Sequence, residues 1–143
     1  MDPRLRGDDD KNMTQHKLFR LLLAVGAAFY VFEAIIHWFG LPILEHDKIW
    51  LATHDRYIAV FALTYAALLV LIATDVKKYK ELFVVVMVGI LVSMLNAALI
   101  ARGGGYASFG TGNLDTELTT IGIGAVVWVI ATTACAIPLF RKK

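Results

Sequence analysis

The 143-residue sequence contains one cysteine, three prolines and few charged residues within its long apolar stretches. Because Cys135 is the single thiol, an intramolecular disulfide, a cysteine-based metal cluster and redox chemistry of the CxxC type are excluded. The HEXXH and GxGxxG motifs are also missing, which removes the patterns of a zinc protease and of a dinucleotide-binding loop. The basic residues form short clusters beside apolar blocks, an arrangement that sets membrane topology and argues against nucleic acid as a partner.

Four long apolar blocks dominate the chain. Hydrophobic residues make up 58% of it, more than the roughly half that is usual in soluble domains. The blocks cover residues 18–39, 57–74, 82–101 and 121–140, and each is close to the ~20 residues that an α-helix needs to cross a bilayer. A soluble helix of this length would carry a polar stripe, and the third block has almost none. We therefore expect an all-α fold that forms a four-span transmembrane helical bundle. Its expected partner is the lipid bilayer in which it is embedded.

Charged residues are distributed unequally between the two ends of these blocks. Lys17 and Arg20 precede the first block, three lysines lie between the second and third, and Arg141 begins a basic C-terminus. The connections at the opposite end, 40–56 and 102–120, carry more acidic than basic residues. The positive-inside rule then places both termini and the turn between the second and third spans in the cytoplasm. The pattern predicts a multi-pass protein of the bacterial inner (plasma) membrane.

The first twelve residues, MDPRLRGDDDKN, differ in character from the rest of the chain. The segment DPRLRGDDDK resembles peptides that arise when palindromic repeat elements in bacterial genomes are read through as coding sequence. If it is such a peptide, Met13 is the native start; a leader added for expression is the alternative. We expect residues 1–12 to form a charged, disordered leader, and residues 13–143 to form a single four-helix transmembrane domain.

An ionisable residue inside the first apolar block is the strongest functional signal. Gly26, Tyr30, Glu33 and His37 are separated by four, three and four residues, so they share one face of a helix. A carboxyl group at membrane depth is costly unless it is protonated, hydrogen-bonded or paired with a cation. This face is therefore predicted to point into the bundle.

Residues at the same end of the neighbouring spans could complete a pocket around this face. Arg56 begins the second span, Arg102 ends the third, and Asn96 lies one to two turns before that end. We expect an outward-facing pocket that binds a small ligand, such as a quinone, a lipid headgroup or a hydrophobic acid, or that binds a partner, without enzymatic activity. Its predicted lining is Glu33, His37, Tyr30, Asn96, Arg56 and Arg102. Three alternatives stay open: a role of Glu33 and His37 in helix packing alone, transport, and a channel formed by a homo-oligomer.

A metal or haem site is the main functional alternative. Glu33 and His37 would supply two ligands from one helix face, and His54 lies at the same end of the second span. A haem needs axial imidazoles on facing helices, for which His37 and His54 are the natural pair. This hypothesis predicts a metal- or haem-dependent redox membrane protein, or an accessory subunit of a redox complex.

Several features resemble the small four-helix membrane proteins grouped loosely around the DoxX family. They are a basic start, a first span that ends HWFGLP, a second span that enters as HDRYIAVFALTYAALLVL, and a short basic turn into the third. The resemblance covers the spans in general and includes no specific motif. It implies a compact inner-membrane bundle that serves as an accessory to a redox system, and it carries over no catalytic residue.

The predicted orientation can be tested by cysteine labelling from outside the cell. With Cys135 changed to alanine, a membrane-impermeant thiol reagent should label Ser108→Cys, in the glycine-rich outer connection, and should miss Lys78→Cys in the basic turn. The reverse labelling pattern would show that the orientation is inverted.

Overall fold

The computed structural model describes residues 3–43, 52–102 and 114–141. They form four α-helices, which are α1 (Pro3–Phe39), α2 (Ala52–Thr74), α3 (Lys80–Arg102) and α4 (Leu114–Arg141). All four are long and apolar enough to cross a membrane, so the expected all-α architecture with four such helices is confirmed. Each helix begins before its predicted apolar block, because backbone hydrogen bonding continues through polar residues that a hydropathy pattern does not include.

The N-terminal segment is described from residue 3 onward, whereas the connections between α1 and α2 and between α3 and α4 are described only in part. Residues 3–12 have a helical backbone as the first part of α1, whereas their composition predicts disorder. That residues 1–12 are a leader outside the native domain stays a prediction. The glycine-rich connection that contains Ser108 lies outside the described residues, as does most of the connection between α1 and α2.

Local hydrogen bonds close two of the helix ends. After α1, Gly40 has a φ of 63°, and the amide of Leu41 donates to the carbonyl of Ile36 at 3.1 Å. This is a Schellman arrangement, which needs a left-handed residue and therefore favours glycine. After α2, Oδ1 of Asp75 accepts a hydrogen bond from the amide of Lys78 at 3.1 Å. The second contact stabilises the short basic turn that leads into α3.

The bundle consists of two helix pairs. α1 packs along α2, and α3 packs along α4, while fewer contacts join the pairs through α1 with α4 and through α2 with α3. We call the end that carries the 75–79 turn the turn end. The opposite end, where α1 stops and α2 starts, is called the site end.

The buried apolar side chains include one large cluster and one small alanine cluster, and the large side chains of Ile36 and Leu114 are also fully buried near the site end. Towards the turn end, Phe83 lies between Phe19 and Phe140, with ring centroids 5.7 and 5.6 Å apart. The other large, fully buried apolar side chains of this cluster are Leu23, Leu69, Ile72, Val86, Ile90 and Leu139. Towards the site end, α1 and α2 meet instead through three alanines, Ala34, Ala59 and Ala62. Small residues let two backbones approach closely, so α1 and α2 remain in contact up to the site end.

The side chain of Trp128 on α4 packs against Gly26 on α1. Its indole N–H donates to the carbonyl oxygen of Leu22 at 2.9 Å. A Cβ atom on Gly26 would overlap the six-membered ring of Trp128, so only glycine allows the ring this close. Gly26, the first residue of the predicted inward face of α1, thus makes space for the ring of Trp128.

We predict that Gly26→Ala lowers the free energy of unfolding by about 1–3 kcal/mol, the usual cost of adding atoms to a filled site. Gly124→Ala is the matched control on α4, because a Cβ at Gly124 would meet nothing within 4 Å. Unfolding in mild detergent, followed by far-ultraviolet circular dichroism, measures both variants. Equal stability of the two variants would contradict the contact between Gly26 and Trp128.

Candidate functional site

Three buried ionisable side chains form one cluster at the site end. The exposed fractions of the residues are 9% for Glu33, 7% for His37 and 3% for Asp55. Within the part of the chain that the structure describes, Thr132 is the one other buried polar residue, and its hydroxyl donates to a carbonyl of its own helix. The buried ionisable groups are therefore concentrated at a single place.

The imidazole of His37 lies between two carboxyl groups. Nδ1 of His37 is 2.8 Å from Oδ1 of Asp55, and Nε2 is 3.5 Å from Oε2 of Glu33. An ionised Asp55 carboxylate can only accept a hydrogen bond, and Nδ1 of His37 is then the donor. The contact with Glu33 is longer and is an ion pair when the imidazole is protonated. Together these contacts connect α1 to α2 and fix the orientation of the ring.

The helix geometry explains why these residues meet. His37 lies in the last turn of α1, and Asp55 lies in the first turn of α2. Positive groups are favoured at helix C-termini and negative groups at N-termini, so each residue is at the end that its charge favours. Asp55 also begins a buried stripe with Ala59, Ala62 and Ala66. That stripe has the same four, three, four spacing as the inward face of α1, and the two stripes face each other.

A crevice between the two helix pairs adjoins the cluster. It comprises two cavities of about 300 and 230 Å³ that share Phe29, Tyr30, Met94 and Ile121 in their walls. Glu33 lines the smaller cavity, and the larger one extends between α1, α3 and α4 as far as Trp128. Ligand sites in proteins are typically apolar clefts with a few polar groups, and the crevice has this character.

Aromatic rings form much of the crevice wall near Glu33. The rings of Tyr30 and Tyr65 stack with centroids 5.4 Å apart and planes inclined by 21°, while Phe29 packs edge-on against Tyr30 at 5.8 Å. The hydroxyl of Tyr65 lies only 2.6 Å from where a Cβ on Gly89 would be. Glycine on α3 therefore makes room for the Tyr65 hydroxyl, which lets the stacked tyrosines lie between the helix pairs.

The structure brings together three of the six residues predicted to line a pocket. Tyr30 and Glu33 line the crevice, and His37 contacts Glu33. All three come from α1, as the periodicity of the sequence predicts. Their part in binding a ligand stays a prediction.

The other three predicted residues lie elsewhere or outside the described part. Asn96 is exposed on α3 and is not among the residues that line the crevice. Arg56 is also exposed, and its guanidinium carbon lies 5.8 Å from the ring centroid of Trp38. It thus covers an aromatic ring at the bundle surface instead of pairing with Glu33. The side chain of Arg102 lies outside the described residues.

The predicted metal ligands do not converge on a common point. His54 is exposed, and as the neighbour of Asp55 on a helix its side chain points about 100° away from that residue. In residues 3–43, 52–102 and 114–141, no group of three or more His, Cys, Asp or Glu residues is placed to hold a metal ion. Within the cluster, His37 directs its two nitrogens to different carboxyl groups, so Glu33 and Asp55 lie on different sides of the ring.

Three residues of the site are absent from the predicted pocket lining and from the predicted metal ligands: Asp55, Tyr65 and Trp128. Asp55 could have been found, because its spacing from Ala59 and Ala62 repeats the periodicity of the inward face of α1. Tyr65 and Trp128 gave no such signal. Their rings lie in the crevice wall because each packs against a glycine on another helix. Periodicity within one helix does not indicate which glycine will face which ring.

The fold and the site define a class of protein. The described chain is all-α, with four helices apolar enough to cross a membrane and a buried Glu–His–Asp cluster beside an aromatic-lined crevice. No protein-family model matches the chain, and no curated protein or solved structure matches it significantly. The resemblance to the DoxX group and the origin of residues 1–12 therefore stay predictions.

We predict that His37→Ala and Asp55→Ala each lower the free energy of unfolding by about 1.5–3 kcal/mol, because each leaves its hydrogen-bonding partner buried. His54→Ala is the matched control, since this exposed histidine precedes Asp55, and its effect should stay within about 0.5 kcal/mol. Denaturant unfolding in detergent measures all of them. The double variant should lose less than the sum of the single effects, and strict additivity would contradict the contact.

Proposed function

We propose that this chain is a multi-pass protein of the bacterial inner membrane that binds a small amphipathic ligand in the crevice between its two helix pairs. The observation that carries the proposal is the position of Glu33, a buried carboxyl group in the wall of an otherwise apolar, aromatic-lined space. The apolar part of the ligand would occupy the crevice, and its polar group would contact Glu33.

The surface of the bundle supports a membrane location. Large apolar side chains are exposed on all four helices, among them Phe32, Phe61, Val85 and Ile130. Exposure of so much apolar area to water is unfavourable, whereas lipid chains accommodate it. The exposed lysines of the turn end, such as Lys77 and Lys78, lie at the opposite end from the buried cluster. The position of these lysines at one end of the bundle supports the proposed orientation, with both termini and the turn in the cytoplasm.

The space beside Glu33 supports a ligand in addition to packing. Glu33 borders a cavity of about 230 Å³ that continues into one of about 300 Å³. Space of this size accommodates a small organic molecule.

Each part of the cluster has a role in this proposal. Glu33 contacts the polar group of the ligand. His37 and Asp55 do not line the crevice, and they act by holding the Glu33 carboxyl group in position. Tyr30 and Tyr65 provide a flat surface for the part of the ligand next to the polar group.

Filling the crevice should prevent binding. Gly124 lines the larger cavity, and a Cβ added there meets nothing within 4 Å, so we expect Gly124→Leu to extend into the cavity without displacing the backbone. The probe is 1-bromo-4-butylbenzene, whose bromine quenches the fluorescence of a tryptophan that it contacts. With Trp38→Phe and Trp50→Phe, Trp128 is the single reporter. Quenching should saturate in the parent protein, and Gly124→Leu should weaken binding by about tenfold or more.

Gly122→Leu is the matched control for this experiment. It makes the same change two residues away on α4, also into open space, at a position that does not line the crevice. This variant should bind the probe as the parent does. Quenching that rises linearly with probe concentration, equally in all three proteins, would indicate partitioning into lipid and would refute a binding crevice.

A further inference from the structure

We infer that the turn end of the bundle binds an anionic phospholipid, whose phosphate group lies in a small cavity between α1 and the turn that follows α2. This site is at the opposite end of the bundle from the crevice and does not depend on the ligand proposed there. Three observations carry the inference: the basic residues in the cavity wall, the fixed backbone of the turn, and the apolar helix faces that continue from the cavity.

A small cavity lies between α1 and the turn, with a volume of about 130 Å³. Its described wall consists of His16, Phe19 and Arg20 of α1 and of residues 73–77. Phe19 is buried, whereas the basic residues Arg20 and Lys77 are exposed. A space of this size is well below the ~300–1,000 Å³ of pockets that enclose a whole small molecule. It therefore suits one compact polar group of a ligand whose remainder lies outside.

Basic side chains outnumber acidic ones in the wall of this cavity. Arg20 and Lys77 are two cations, and Asp75 is the one acidic residue of the described wall. Oδ1 of Asp75 accepts hydrogen bonds from the backbone amides of Lys77 and Lys78, at 3.2 and 3.1 Å. In the described part of the chain, no carboxylate lies within ion-pair distance of Arg20 or Lys77. The wall therefore attracts an anion.

The residue types in the wall match the chemistry of a phosphate group. The guanidinium group of Arg20 is a planar fork of donors that binds phosphate oxygens in pairs, and the ammonium group of Lys77 adds a second positive donor. His16 precedes Arg20 by four residues and so lies on the same face of α1, where its imidazole supplies a further N–H. The hydrogen bonds of Asp75 hold the backbone of the turn. The position of Lys77 beside α1 is therefore set before a ligand binds.

Apolar helix faces continue from the cavity towards the site end. On α1, Ala24 and Ala28 follow Arg20 at intervals of four residues. On α2, Val70 precedes Thr74, which lines the cavity, by four residues. All three apolar residues are exposed. Acyl chains attached to a phosphate in the cavity would lie against this surface, whereas a soluble phosphate compound makes no use of it, so a lipid is favoured.

A zwitterionic lipid fits the described wall less well than an anionic one. The ammonium group of its headgroup would lie beside Arg20 and Lys77, where like charges repel each other. An anionic headgroup has no such cost. The proposed orientation also assigns the turn end to the cytoplasmic leaflet, whose anionic lipids attract basic segments.

The test compares two lipids that differ in headgroup charge and share their acyl chains. Phosphatidylglycerol is the anionic probe and phosphatidylcholine its zwitterionic counterpart, and each is titrated into the full chain in detergent at about 0.15 M ammonium acetate. Native mass spectrometry counts the bound lipids and gives the dissociation constant of the first one. The protein should bind the first phosphatidylglycerol about tenfold more tightly than the first phosphatidylcholine. Equal affinity for the two lipids would overturn the inference.

Two neighbouring lysines provide a matched pair of variants. Lys77 lines the cavity, whereas Lys78 does not, and the ammonium group of Lys78 lies 5.1 Å from the ring centroid of Tyr79. Lys77→Gln should weaken binding of the first phosphatidylglycerol about fivefold, and Arg20→Gln about tenfold because a paired contact is also lost. Lys78→Gln removes the same charge from an exposed position and should change the affinity less than about twofold. Equal losses in Lys77→Gln and Lys78→Gln would show diffuse attraction to the basic turn and would overturn the site.

A soluble headgroup distinguishes a lipid from a free phosphate compound. Glycerophosphoglycerol carries the phosphodiester of phosphatidylglycerol without its acyl chains. In large molar excess it should leave the bound lipid in place, because it gains nothing from the apolar helix faces. Displacement of the lipid by this compound would identify a soluble phosphate compound as the ligand and would overturn the assignment of a lipid.

Discussion

The hydrogen bond between His37 and Asp55 is the contact on which the arrangement of the site depends. It joins the last turn of α1 to the first turn of α2 at a distance of 2.8 Å, and both partners are buried. The same contact fixes the imidazole so that its other nitrogen faces Glu33. Breaking the pair would remove a hydrogen bond between two buried groups, which costs more than the loss of an exposed contact. The orientation of Glu33 in the crevice therefore follows from a contact that Glu33 does not itself make.

The crevice lies where the two helix pairs are in contact through aromatic rings. Alanines such as Ala59 hold α1 against α2 up to the site end, whereas aromatic rings separate that pair from α3 and α4. Tyr65 and Trp128 can extend between the pairs because glycines face them on α3 and α1. Helices in lipid lack a strong hydrophobic drive to associate, so local shape decides how closely they approach. A bundle packed in this way retains its largest described space beside and beyond the buried cluster, and a smaller one of about 130 Å³ at the turn end.

The sequence predicts the parts of this structure that depend on one helix at a time. Length and apolar character are local properties, so all four helices were predicted, and periodicity within α1 placed Glu33 and His37 on the inward face. The direction of Arg56 was not predictable, because it depends on the rotation of α2 and on the exposed ring of Trp38 beside it. Gly26 shows the same limit. It lies on the predicted face, yet its role is set by a tryptophan more than one hundred residues away in the sequence.

The most direct test of the account is to locate a bound probe in an experimental structure. The bromine atom of 1-bromo-4-butylbenzene is identified by anomalous X-ray scattering without ambiguity. The account predicts one dominant bromine peak in the crevice between the two helix pairs, next to the shared wall of Phe29, Tyr30, Met94 and Ile121. A dominant peak on the lipid-facing surface or in the groove between Trp38 and Arg56, with the crevice empty, would contradict it.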